Sequence, residues 1–234
     1  MIGSIEESGL VFFGSSNLTV GSNQLSTVFS GVMQDGGIHG GIGGSLSKIG
    51  TGTLTFSSAN VYTGGTMIDG GALLVITTIG SGTGSGPVHV NAGTLGGVGR
   101  ISGPAIAGTG SGSGALLSPG NSGTDLGALA IDKEATFNPD ATYEFQLNSR
   151  TAAADERVAK RVTIASGAQF FFADLGSGML PAGTVSTVIN NTSGSPIAGA
   201  FSNLPDGSTF TRNGNNFRAS YEGGDGNNLT LTVQ

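Results

Sequence analysis

Short alternating apolar runs return along this chain with glycine between them, and that recurrence limits the fold more than any other feature. "LTF" at Leu54–Phe56 and "LLV" at Leu73–Val75 form one such pair. "MIDGGALL" (Met67–Leu74), "VHVNAGTL" (Val88–Leu95), "AIDKEATF" (Ala130–Phe137) and "TIASGAQF" (Thr163–Phe170) align as a β-like entry, a small or polar break, and a second β-like run. Leu54 precedes Leu74 by 20 residues, Leu74 precedes Leu95 by 21, and Leu95 precedes Phe137 by 42, twice that step. An insertion lengthens the interval before Thr163. A unit of about 20–22 residues cannot bury its own apolar face and must stack on its neighbours, as in a solenoid.

Two or three short strands per unit with glycine at the corners predict an all-β fold, a right-handed parallel β-helix. The corners need positive φ, and successive coils must approach to the strand spacing of about 4.8 Å. Eight to ten coils would give a rod of roughly 40–50 Å. Glycine accounts for 44 of 234 residues, yet 37% of the chain is hydrophobic, so a core can still be buried.

Charge is sparse. Only 10% of residues are charged, and between Gly36 and Thr124 the charged residues are Lys48, Asp69 and Arg100. The surface must therefore be polar through Ser, Thr, Asn and backbone, a style common in extracellular β-rich proteins. The net charge of −6, with "RVAKR" as the one basic cluster, argues against a nucleic-acid partner. Cysteine is absent, which excludes disulfides, thiolate catalysis and cysteine metal sites. "MIGSIEESGLVFF" lacks the basic start and apolar run of a signal peptide, and no stretch approaches the roughly 20 apolar residues of a membrane helix. An export address is thus expected outside this chain, which reads as an excised segment.

"AAADERVAKR" (Ala152–Arg161) puts five charges into ten residues and interrupts the pattern. It reads as a loop insertion near 150–161, a helical turn or solvated excursion. Beyond it the style changes to hairpin punctuation, "PDG" and "NGN" between alternating runs. The expected organisation is coils over 1–175 and a β-rich C-terminal cap over 176–234, continuous with the helix and closing its open edge.

"GSLSKIGTGTLTFSSANVYTGGTMIDGGALLV" (Gly44–Val75) resembles the autotransporter-associated β-strand repeat, also called the passenger-associated-transport repeat. Lys48, the "GTGTLTF" run, Ala59–Asn60, "YTGGT" at Tyr62–Thr66 and the closing "GGALLV" carry the likeness. "LLSPGNSG" (Leu116–Gly123) and "FRASYEGGDGNNLTLTV" (Phe217–Val233) resemble regions that follow this repeat in large bacterial surface proteins. The resemblance implies a secreted or cell-surface passenger β-helix without its translocator barrel. It brings no catalytic residues.

Candidate chemistry is thin. His39 lies in the glycine run "GGIHGGIGG", and His89 alternates with Val88 and Val90 in a strand; neither has a Cys or an Asp/Glu pair at ligand spacing. No "GxSxG" elbow occurs. A β-helix polysaccharide lyase or hydrolase would need clustered carboxylates. Asp132, Glu134, Asp140 and Glu144 are the acids that cluster, and they also suit solvated turns. "GGDGNNLTL" (Gly223–Leu231) is similar to a calcium nonapeptide, but its sixth position is Asn228 and it occurs once, so it reads as a tight turn into the final strand. "GTGSGSG" (Gly108–Gly114) has phosphate-loop glycine spacing without the lysine or helix, and reads as a loop.

The expectation is a non-catalytic surface scaffold, stalk, adhesive element or fibre subunit, with no metal and no cofactor. An uncapped coil around "LVFFGSSNLTV" would dock head-to-tail on another copy. The alternatives are a module binding surface glycans through Ser/Thr/Asn ladders, and a carbohydrate-active enzyme with acids near Asp132–Glu144.

Overall fold

A computed structural model describes residues 1–38, 40–77, 79–112, 114–120 and 125–234. Among these the chain is all strand and turn, with no helix. The first strands are β1 (Leu10–Phe12), β2 (Asn17–Val20), β3 (Thr27–Phe29) and β4 (Val32–Gln34). The glycine-rich stretch supplies β5 (Ser45–Lys48), β6 (Thr53–Phe56), β7 (Thr66–Val75), β8 (Val88–Gly97) and β9 (Arg100–Ile101). Then come β10 (Ala105–Ala107), β11 (Ala115–Pro119), β12 (Ala128–Phe137), β13 (Ala141–Asn148), β14 (Ala153–Ala154), β15 (Glu156–Ile164) and β16 (Gln169–Asp174). The chain ends in β17 (Val185–Asn191), β18 (Thr209–Arg212), β19 (Asn215–Gly223) and β20 (Asn228–Val233). Eighteen of these strands belong to one large, mostly parallel sheet; β1 and β4 pair separately, also in parallel.

Two columns of side chains run across the strands. In the first, Val20, Lys48, Ile68, Val90, Ala107, Phe137 and Ile164 lie each beside the next in parallel register. In the second, Thr27, Leu54, Leu73, Leu95, Leu117, Tyr143 and Phe170 do the same. All but Thr27 of these residues are buried. Strand alternation thus sends one set of side chains to a shared interior and the other to solvent.

The register corrects the sequence alignment. Leu54 and Leu95 flank Leu73, not Leu74, and Leu95 is followed in its column by Leu117. Phe137 stands in the other column, beside Ala107. The register of β7 on β8 shifts only locally at Asp69, where Gly70 and Gly71 turn the chain; on either side of that corner Ile68 lies beside Val90 and Ala72 beside Thr94, a constant step one residue longer than the leucines suggested. Unequal corner loops also make the step irregular, so a single period of 20–22 residues describes the glycine-rich half better than the rest.

A second correction concerns 150–161. Thr151 closes a turn on Asn148, but from Glu156 the segment is strand β15, paired in parallel with β12 over Ala128–Phe137. Charge in "DERVAKR" hid the alternation of Arg157, Ala159 and Val162, all buried. Pairing turns antiparallel at the C-terminal end, where β17 joins β20, β20 joins β19, and β19 joins β18. The aromatics gather toward this end: Phe137, Tyr143, Phe170 and Phe201 pack with ring centroids 5.3 to 6.2 Å apart. Phe172, Phe210 and Phe217 form a second group. No helix of the described residues is long and apolar enough to cross a membrane.

Candidate functional site

The residues that mark Gly44–Val75 as a repeat are spent on the backbones of neighbouring strands. Lys48 is 1% exposed, in the interior column. Its Nζ donates to the carbonyls of Ile49 (2.8 Å), Gly50 (3.2 Å) and Gly70 (3.2 Å). Burial lowers its pKa. The ammonium thus satisfies the carbonyls of two corners at once, which a buried cation without a carboxylate requires. Gly71 closes over it at φ +62; a Cβ there would lie 2.3 Å from the Gly52 oxygen and 2.8 Å from Lys48 Nζ.

Asn60 works similarly at the next corner. Its Oδ1 accepts from the Met33 amide at 2.7 Å and its Nδ2 donates to the Gly82 carbonyl at 2.6 Å, linking β4 to the turn between β7 and β8. Tyr62 is fully buried, shares a 2.5 Å hydrogen bond with Thr66 and packs on Phe13 with centroids 5.3 Å apart. Burial pushes the Tyr62 phenol well above its ordinary value.

The four acids of the enzyme alternative take separate partners. Asp132 receives Arg100 Nε at 2.9 Å and Ser102 Oγ at 3.1 Å. Glu134 lies 4.0 Å from Arg161, both well exposed. Glu144 accepts from Ser118 Oγ at 2.8 Å. Asp140 reaches the Gly108–Gly114 loop, where its carboxylate accepts the amides of Thr109 (3.0 Å), Gly110 (2.7 Å) and Gly112 (2.9 Å). Burial opposes that charge, yet the amides outweigh it and hold the Asp140 pKa below its ordinary value. The glycine loop does form an anion-binding nest, and the chain fills it with its own aspartate. Ser113 lies outside the described residues.

His89 follows Met67 in register and faces outward from β8; His39 lies outside the described residues. Asp69 accepts from Asn91 at 2.8 Å. Gly223–Leu231 is the hairpin between β19 and β20, where Gly223 pairs with Asn228 and the Gly226 amide donates to the Gly223 carbonyl at 3.0 Å. Among the described residues no three His, Asp or Glu gather closely enough to hold a metal.

Two buried ionisable groups escaped sequence reasoning. Arg157 is 0% exposed, beside Leu129 and Ile189 in register, and none of its three guanidinium nitrogens has a partner among the described residues. Desolvation lowers its pKa to about 10, with nearby Tyr143 acting in the opposite sense. Asp155, 1% exposed, accepts from the Gly127 amide at 2.8 Å and the Gln146 amide at 3.3 Å. Burial, helped by nearby Glu144 and opposed by those two amides, raises its pKa to about 7. The available signal was the inward phase of Arg157 with Ala159.

This arrangement cross-links strands and offers no convergent catalytic set among the described residues. A search of curated proteins finds no match to the chain. A family model does match, the passenger-associated-transport repeat, over residues 46–75. That span runs from β5 through β7 and contains Lys48, Asn60 and Tyr62. Residues 46–75 thus match the passenger-associated-transport repeat, and the chain that carries them is all-β.

Proposed function

We propose that this chain is a right-handed parallel β-helix, closed at its C-terminal end by residues 176–234, and that it serves as a non-catalytic scaffold or stalk of a secreted or surface-displayed bacterial protein. One observation carries the reading: Lys48, Asn60 and Tyr62, the chemically distinctive residues of the repeat, are buried and spend their polar groups on neighbouring corners and side chains rather than lining a cleft. The closing role of the last sixty residues is supported by Ser202 and Asn203, whose side chains accept from Gly167 (2.7 Å) and Phe170 (2.8 Å) at the edge of the parallel ladder. The test joins two measurements. Small-angle scattering should give a rod, and a panel of neutral and acidic polysaccharides should yield no new reducing ends or unsaturated products. A globular scattering profile overturns the β-helix; turnover lost in E144A overturns the non-catalytic reading.

A second reading, self-assembly through the ends, is favoured by the first strands. Leu10 (64% exposed), Phe12 (52%), Leu25 (58%) and Val28 (53%) give this part of the chain an exposed apolar surface. Head-to-tail contact would bury it. Light scattering across concentration, beside negative-stain microscopy, should then show filaments with a repeat of one molecular length. Monodisperse rods at every concentration would exclude this reading.

A further inference from the structure

The seven cations other than Lys48 and Arg157 are distributed unevenly. Three of them, Lys133, Lys160 and Arg161, line one groove of ≈ 310 Å³ with Glu134, Pro104 and Ser193. The backbone is what gathers them. Between β12 and β15 the register slips after Ile131, so that Ile131 faces Ala159 and Glu134 faces Arg161. Asp132 and Lys133 together therefore oppose Lys160 alone. A bulge of this kind re-aims side chains, and here it turns Lys133, Glu134, Lys160 and Arg161 to solvent. Glu134 answers Arg161 at 4.0 Å; among the described residues no carboxylate pairs with Lys133 or Lys160. A chain of net charge −6 thus carries a locally positive groove, and the local field guides an anion to it.

The lining also selects among anions. Glu134 repels any anionic group set against it but accepts hydrogen bonds from sugar hydroxyls, so a ligand carrying both anionic groups and hydroxyls suits the lining better than a bare anion. The Pro104 ring gives an apolar wall suited to the C–H face of a pyranose. No aromatic side chain lines the groove, so there is no platform for stacking a base. We infer that this groove binds an anionic glycan, a chain carrying sulfate or carboxylate groups, with Lys133 and Lys160 holding the anionic groups and Glu134 the hydroxyls. The site depends on the bulge alone and stands apart from the scaffold reading.

The experiment is titration calorimetry of the whole chain with a heparin oligosaccharide at low salt, beside neutral dextran and a short DNA duplex. Heparin should bind and weaken as salt rises; dextran should not bind. K133E/K160E should weaken heparin at least tenfold with an unchanged circular-dichroism spectrum, since both side chains are exposed. R212E/R218E, elsewhere on the chain, should bind as the parent does. Absence of heparin binding at low salt, equal binding by K133E/K160E, or DNA binding as tight as heparin would each overturn the assignment.

Discussion

Lys48 and Arg157 are both long cations turned into a hydrophobic interior, and their surroundings give them opposite worth. Lys48 fills three carbonyl acceptors, so K48M leaves the oxygens of Ile49, Gly50 and Gly70 without their donor. That variant should lose about 1–3 kcal/mol, read from the midpoint of urea unfolding. Asp155 gives a second residue-scale test. Its folded pKa of about 7 lies above the ordinary 3.8, so the folded chain retains a proton that the unfolded chain releases. Stability therefore falls as pH rises from about 4 to about 7 and is level beyond. D155N should flatten this slope, and its gain in melting temperature over the parent should be larger at pH 8 than at pH 5. A parent stability that rises across this window, with D155N unchanged in slope, would contradict the burial argument.

At the scale of elements, β15 shows what alternation can and cannot reveal. Its Arg157 lies between Leu129 and Ile189 without a hydrogen-bond partner among the described residues. Replacing an uncompensated buried charge with an apolar side chain of similar length removes its desolvation cost. R157M should be more stable than the parent by about 1–4 kcal/mol, with the midpoint of denaturation moving up and its slope unchanged. Sequence made the corners legible because Gly70, Gly71 and "YTGGT" announce tight turns, and it made the strands on either side legible through their alternation. It concealed β15 because five charges in ten residues mask the inward phase of Asp155, Arg157 and Ala159. The partners of Asp140 were equally hidden: Thr109 is 31 residues away and meets it only once parallel register is set. Local composition carries no information about that register, and a one-residue error in pairing β7 with β8, Leu74 for Leu73 against Leu95, exchanges the two faces of the strand.

Across the whole molecule the two ends differ. The first strands leave Leu10, Phe12 and Val28 largely uncovered, whereas the far end combines two aromatic clusters with amide groups taken up by Ser202, Asn203 and Asn215. Because each passage of the chain touches mainly its neighbours, stability is a sum of local interfaces. Hydrogen exchange should accordingly be fastest in β1–β4 and slowest in β13, β16 and β20. Uniform protection from end to end would mean that the ladder opens as one unit.

The burial of Lys48 also decides how the chain meets a digestive enzyme. Trypsin needs an accessible Lys or Arg on a strand it can pull into its cleft, and Lys48 is the sole such residue in the first 99. With that side chain 1% exposed beneath Gly71, the folded N-terminal stretch offers trypsin no foothold. Limited digestion should leave a fragment that runs intact at least to Arg100, and cleavage after Lys48 would report that the first strands had come apart.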